Sequence, residues 1–383
     1  MALNGMAGDT LMNDCVIVGA GVIGLATALE LRRRGATVTI VERATVGAEA
    51  SWAGGGLLFP LMPWDYEPAV TDLVLHSAAL YPEWTARLAG VSGIDPDWRQ
   101  SGMLITADLG DQAKQWCAQH NLPHAFVSGR SKVPQLGMEC KALWLPQAAQ
   151  VRNPRLMRAL AMAATQAGVE IREHTEALEF ITDDSNVASL TTSRGAIQAG
   201  RYLVCAGAWS ATWLGAHAAG LPIKPMKGEM LLYRAPPGWL STVVYDGSVY
   251  VIPRDDGHVL VGSTTEDRGF DKSLTLAARD RLAAQARTLL PELTQMPRIG
   301  HWAGLRPGSP KNLPTIARHP QFKNLYVNAG HFRYGITMAP ASAQLCADLI
   351  IGGSAPQLYG WPDADAVASE KSNHPSRFAP SPP

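Results

Sequence analysis

The chain has 383 residues, 46% of them hydrophobic and 17% charged, and its 33 basic residues balance 33 acidic ones. That length supports two domains with sizeable cores, and that balance reads as a soluble globular protein, which excludes a disordered chain. No Lys/Arg-rich block marks a nucleic-acid or membrane-surface partner, so the expected partner is a small molecule. The five scattered cysteines, Cys15, Cys117, Cys140, Cys205 and Cys346, lack metal-ligand spacing. They read as reduced thiols of a cytoplasmic protein, with no metal site. Met1 to Asp14 has no basic n-region and the apolar segment after it is interrupted by Gly19, Gly21 and Gly24, which argues against a signal peptide and a membrane span.

In chain order, "CVIVGA" suits a buried parallel strand, "VIGLATALELRRR" has helical apolar spacing and "TVTIVE" is a second strand. Gly19-x-Gly21-x-x-Gly24 falls at the strand-to-helix junction of this βαβ unit. The first glycine permits a tight turn, the second lets a pyrophosphate approach the backbone, and the third lets helix and strand pack closely. Free N–H groups and the helix dipole favour the phosphate charge there. Glu42 ends the second strand, where a carboxylate accepts from ribose hydroxyls and repels a 2′-phosphate, which favours FAD or NAD over NADP.

Ser51 to Gly56, "SWAGGG", reads as a small-residue loop, by composition an ordinary flexible one and alternatively one suited to a flat ring, and Phe59 to Pro68 as part of a mouth or lid. "NPRLMRALAMAATQAG" has the pattern of a capped crossover helix, with Asn153 as N-cap, Pro154 at the first helical position and Gly168 closing it. "VEIREH", "ALEFIT" and "VASLTTS" alternate short strands with turns, and "YLVCAGAWS" is a further strand ending in glycine, so a parallel sheet carries an antiparallel insertion. From about Leu221 to Arg306 long strands with tight turns and one amphipathic helix predict an antiparallel substrate domain. "NLYVNAGHFRYGITMAPASAQLCADLII" reads as a strand returning to the first sheet, a glycine turn, and a helix with Pro340 in its first turn. The expected fold is α/β and α+β. A discontinuous Rossmann-like domain for the dinucleotide, FAD or NAD, covers 14–91, 146–220 and 313–360, and a mainly antiparallel β substrate domain covers 92–145 and 221–312. Residues 361–383, rich in Pro, Ser and Ala, are expected to form a loose tail.

The opening fingerprint with Glu42, "SWAGGG", "VRNPRLM", "CAGAWS", "KGEM", "YVIPRDDGHVLVGST", "HWAGLRPGSP" and "AGHFRYGI" together resemble the glycine oxidases of thiamine biosynthesis, a branch of the D-amino-acid oxidase superfamily of flavoproteins. The resemblance runs from Asp14 to Ile351. It implies a D-amino-acid oxidase-like fold, noncovalent FAD and a cytoplasmic homo-oligomer, dimer or tetramer. The implied reaction is oxidation of glycine, sarcosine and small D-amino acids by hydride transfer to flavin N5, with oxygen as acceptor and imino acid and hydrogen peroxide as products. A dehydrogenase with the same pocket, passing electrons to a carrier or quinone, stays open beside it.

Residue by residue, the resemblance makes Arg306 in "WAGLRPG" the substrate-carboxylate arginine, Tyr250 its hydroxyl partner and Arg333 a second arginine near flavin and substrate. A planar guanidinium suits a carboxylate because it donates two parallel hydrogen bonds, which Lys cannot reproduce. The implied cofactor contacts begin with Gly19, Gly21, Val22, Ile23, Gly24, Glu42 and Arg43. Ser51, Trp52, Ala53, Gly54 and Gly55 follow in the loop, and Ala177 where the backbone meets adenine. Gly207 and Trp209, then Gly330, His331, Arg333, Tyr334, Gly335 and Ile336, complete the set. Trp209 is the one whose alternative as a core residue is strongest. The family commonly has asparagine where this chain has Tyr334, which either intrudes on the pocket and reshapes it or points into the protein and packs. His301 and His331 are assigned as neither acid nor base.

Overall fold

The computed structural model describes residues 13–352 and 359–361. Six strands form the first sheet, in the spatial order Thr315–Arg318, Leu325–Ala329, Ala199–Val204, Asn13–Val18, Val38–Val41 and Glu170–Arg172. All are parallel to their neighbours except Thr315–Arg318, which runs antiparallel to Leu325–Ala329. The two central strands end in buried apolar runs, Cys15 to Val18 and Tyr202 to Val204, as a parallel sheet covered on both faces requires. One face packs on helices Val22–Arg33, Pro68–Ser92, Asn153–Gln166 and Gly335–Ile350. The other packs on the antiparallel insertion of Ala177–Thr182, Val187–Thr192 and Gly195–Ile197.

The second sheet has eight strands, ordered Arg298–Gly308, Lys224–Arg234, His258–Gly262, Tyr250–Pro253, Val243–Tyr245, Met103–Ile105, Lys141–Leu145 and Ala125–Ser128. Every pairing is antiparallel but one, Val243–Tyr245 beside Met103–Ile105. Helix Leu276–Leu289 covers one face, and its N-cap Thr275 accepts from the Ala278 N–H. The opposite face looks toward the carboxyl ends of the first sheet.

Three local expectations are corrected. Asn153 is the first residue of its helix, not the cap, which is Arg152, and its side-chain amide instead donates to the Ser51 carbonyl at 2.8 Å. Pro340 lies inside helix Gly335–Ile350 beyond the first turn. It has no N–H for the Ile336 carbonyl four residues back, and the Tyr81 hydroxyl donates there in its place. Ser51 to Ala53 belong to a helical turn, Ala50–Ala53, so only Gly54 to Gly56 are loop. The expected tail lies outside the described residues apart from Trp361, whose indole donates to the Ala219 carbonyl. Among the described residues no helix is long and apolar enough to cross a membrane.

Candidate active site

A cavity of about 430 Å³ opens at the carboxyl ends of Asn13–Val18, Val38–Val41, Ala199–Val204 and Leu325–Ala329, where strand order reverses, and extends beneath the second sheet. At its first end Gly19 has φ +106°, and a Cβ there would stand 2.6 Å from the Cys205 carbonyl oxygen. Gly21 caps the first helix, whose Val22 N–H donates to Ser51 Oγ at 3.0 Å. The amides of Gly21 and Ile23 line the cavity without a protein acceptor among the described residues. Glu42 follows the second strand with its carboxylate clamped by the N–H groups of Ala20 (2.9 Å) and Ala44 (3.0 Å). Arg43 lies 4.0 Å over the Trp209 ring, which stacks on Phe270. Trp209 is therefore a half-buried wall of the cavity, not a core residue, and Ala177 and Gly207 line the same end.

Three expected contacts stand back from the lining. Gly24 serves packing, since a Cβ there would meet the Gly19 carbonyl at 2.1 Å. Trp52 is 45% exposed and turns its ring edge to Trp302 instead. Ala53 is buried, with its carbonyl accepting from the Trp302 indole at 2.9 Å. Ser51, Gly54 and Gly55 do line the cavity.

At the other end Arg306 projects from strand Arg298–Gly308. Its guanidinium donates to Ser263 Oγ (2.7 Å) and the Thr264 carbonyl (3.1 Å), with the Lys227 carbonyl at 3.5 Å. All are neutral, and it has no carboxylate partner among the described residues. Desolvation lowers its pKa, and the adjacent Tyr250 hydroxyl acts in the opposite direction. Two glycines that sequence reasoning missed make room here. A Cβ at Gly228 would lie 2.1 Å from an Arg306 amino nitrogen, and one at Gly262, cross-strand from Tyr250, would lie 2.8 Å from the phenol oxygen. The signal was the small residues of "KGEM" and "VLVGST" opposite large ones, readable only once strand register is known.

Strand alternation separates this face from the next. Gly228 and Met230 stand on the side of Arg306 and Tyr250, whereas Lys227 and Glu229 form a buried ion pair of 2.8 Å on the other. Burial raises the Glu229 pKa, but hydrogen bonds from Lys227, Thr275 and His301 outweigh it and hold the group below the usual range. His301 is thereby tied to Glu229 at 2.7 Å and does not line the cavity. His331 does line it; burial pulls its pKa down to about 3, and Nε2 pairs with Ser342 Oγ at 2.9 Å. Arg333 is exposed at the rim, its guanidinium reaching Thr265 Oγ1 at 3.3 Å. Tyr334 is buried, its ring edge-on to Tyr66 and its hydroxyl pairing with both the N–H and the carbonyl of Leu61. It pins the segment carrying Phe59 and Leu61, both in the lining, to the start of the last helix. Gly330, Gly335 and Ile336 complete that wall.

A glycine cradle at a helix start, a clamped carboxylate after the second strand and an uncompensated guanidinium at the far end define an oxidoreductase fold that holds a dinucleotide against a small anionic substrate. The family model for FAD dependent oxidoreductases matches residues 14–349, and the chain belongs to that family. It is 46% identical to a glycine oxidase of Pseudomonas aeruginosa over 344 residues, 88% of this chain and 94% of that one. It is 41% identical to the glycine oxidase of Pseudomonas putida over 349 residues, 89% and 95% of the two chains. The crystal structure of glycine oxidase from Geobacillus kaustophilus superposes with a TM-score of 0.85 at 30% identity, covering 90% of this chain and 95% of that one. The cofactor is FAD, and the cradle fits it: the Gly21 and Ile23 amides are left without a protein acceptor among the described residues at the helix start, and the Glu42 carboxylate is held beside them.

Proposed function

We propose that the chain oxidatively deaminates glycine, sarcosine and small D-amino acids, consuming oxygen and releasing hydrogen peroxide. The carrying observation is Arg306, a desolvated guanidinium facing the cavity with only neutral acceptors, beside the Tyr250 hydroxyl. An α-carboxylate completes that arrangement with two parallel charge-assisted hydrogen bonds, and Tyr250 adds a third. Fixing the carboxylate at two points leaves Cα little rotational freedom, which is the chief contribution a protein makes to such a reaction.

The amides of Gly21 and Ile23 would hold the pyrophosphate of noncovalent FAD, Glu42 would accept from the ribose hydroxyls, and Ser51, Gly54 to Gly56 and Gly330 to Ile336 would wall the ring. Flavin bound there would supply a two-electron acceptor for the hydride of the substrate Cα, with oxygen as the final acceptor. No protein base is assigned: His331 is held neutral and paired to Ser342, and His301 is engaged by Glu229. The amine binds deprotonated, and the imino acid takes up water to give glyoxylate or a 2-oxo acid with ammonia or amine. From the family resemblance and the composition we place the enzyme in the cytoplasm as a homo-oligomer serving thiamine biosynthesis.

Anaerobic addition of glycine or sarcosine is expected to bleach the flavin, and readmitted oxygen to restore the colour with one hydrogen peroxide per amine. Bleaching without reoxidation by oxygen would point to a dehydrogenase, and no bleaching with any small amino acid would remove the proposal.

A further inference from the structure

Two cations of the second sheet approach the cavity, and only one of them lines it. Arg254 follows strand Tyr250–Pro253 and is 4% exposed, walled off from the cavity. It has no ion pair among the described residues. One amino group donates to Gln150 Oε1 at 2.5 Å, the other to the Gly55 carbonyl at 2.8 Å, and Nε has no partner. Burying a full charge to satisfy two neutral acceptors costs more than well-packed apolar atoms of the same volume would. Such a group calls for a role beyond packing.

The role is legible in the peptide it grips. The Gly55–Gly56 bond is trans, so its carbonyl and its N–H point to opposite sides. Arg254 draws the Gly55 carbonyl into the protein wall. The Gly56 N–H is therefore turned the other way; it has no protein acceptor among the described residues, and Gly56 lines the cavity. Gly56 has φ +72°, and a Cβ there would stand 2.1 Å from the Val151 carbonyl oxygen, so the segment is seated without slack. A Cβ on Gly55 would lie 3.4 Å from the Tyr250 ring, which puts this peptide at the substrate end.

We infer that Arg254 is a positioning residue for the flavin: by holding the Gly55 carbonyl it aims the Gly56 N–H at the redox-active edge of the ring, where that donor stabilises the charge gained on reduction. A charge-assisted bond is stronger than a neutral one, so the peptide resists flipping when the electron density beside it changes. The inference rests on FAD occupying the cavity and not on which amine is oxidised.

Sulfite is the probe, because its lone pair forms a bond to flavin N5 while the ring takes the electron pair as an anion, bleaching the long-wavelength band without any amine. In purified holoenzyme, Arg254→Met is expected to raise the sulfite dissociation constant about tenfold while the FAD dissociation constant stays within about threefold, with Arg254→Lys between it and the wild type. An unchanged sulfite constant in Arg254→Met overturns the inference. So does a parallel loss of FAD and sulfite affinity in both variants, which is the signature of packing alone. Should Arg254→Met fail to retain flavin, Arg254→Lys decides: a rise of about threefold supports the inference, and no change overturns it.

Discussion

On the proposed function, the two ends of the cavity recognise their targets by opposite means. At the first, glycines and main-chain amides do the work: Gly19, Gly21 and Gly24 matter for what they lack, and even Glu42 is oriented by two backbone N–H groups. At the second, Arg306 and Tyr250 act through long side chains on antiparallel strands, and the glycines opposite them, Gly228 and Gly262, only clear the space. A backbone site tolerates no added atom, whereas a side-chain site can be retuned by its neighbours.

The sharpest way to break the contrast is at the backbone end. Gly21→Val is expected to raise the FAD dissociation constant about a hundredfold or more, roughly 2.7 kcal/mol, because the side chain occupies phosphate space against Ser51. Colourless purified protein and FAD titration of the apoprotein report it, and a normal yellow holoenzyme would overturn the glycine-cradle account. Next comes Arg306→Lys, which replaces a bidentate fork by a point charge. Losing one charge-assisted bond, about 1.5–3 kcal/mol, lowers kcat/KM for glycine about 10- to 100-fold, mainly through KM, with flavin content unchanged. Steady-state kinetics that stay at wild-type values would take Arg306 out of the site.

A finer test uses a residue that touches no substrate. Gly228→Ala places a methyl group where the Arg306 guanidinium now lies, so a fall of about tenfold in kcat/KM with intact flavin is expected. If instead the flavin is lost, the two ends are coupled and the contrast fails. The smallest effect is expected at Tyr334→Asn, which releases Leu61 from its hydroxyl. The D-alanine to glycine ratio of kcat/KM should rise about threefold with glycine turnover kept within about tenfold. An unchanged ratio would leave Tyr334 as scaffold.

The same contrast governs what the sequence disclosed. The phosphate cradle is local, its constraint is the absence of side chains within six residues, and the spacing displayed it directly. Arg306 was identifiable only through the motif around it, because an arginine between turn residues has no periodic signature. Gly228 escaped notice because its partner lies across a strand register no single sequence reveals. Local rules also misplaced Pro340 and Asn153, since the groups that decided the outcome, the Tyr81 hydroxyl and the Ser51 carbonyl, are remote in the chain. Trp52 carried the right neighbours but the wrong direction, its ring drawn out to Trp302.

The interleaving of the first sheet also bears on how the molecule assembles. Leu325–Ala329 lies against Ala199–Val204, which lies against Asn13–Val18, so three of the four strands at the cavity are joined by pairings such as Asn13 with Ala199 and Tyr202 with Leu325, far apart in the chain. Loop-closure entropy must be met before those contacts return anything, which makes the closing of the first sheet a late and slow event in folding. Until then there is nowhere for the cofactor to dock, and FAD acts as a latch that binds the finished state and withdraws it from the unfolding equilibrium by mass action. Refolding in the presence of FAD should therefore leave the rate of sheet closure unchanged while slowing the return journey, so that cofactor supply sets how long the protein persists more than how quickly it forms.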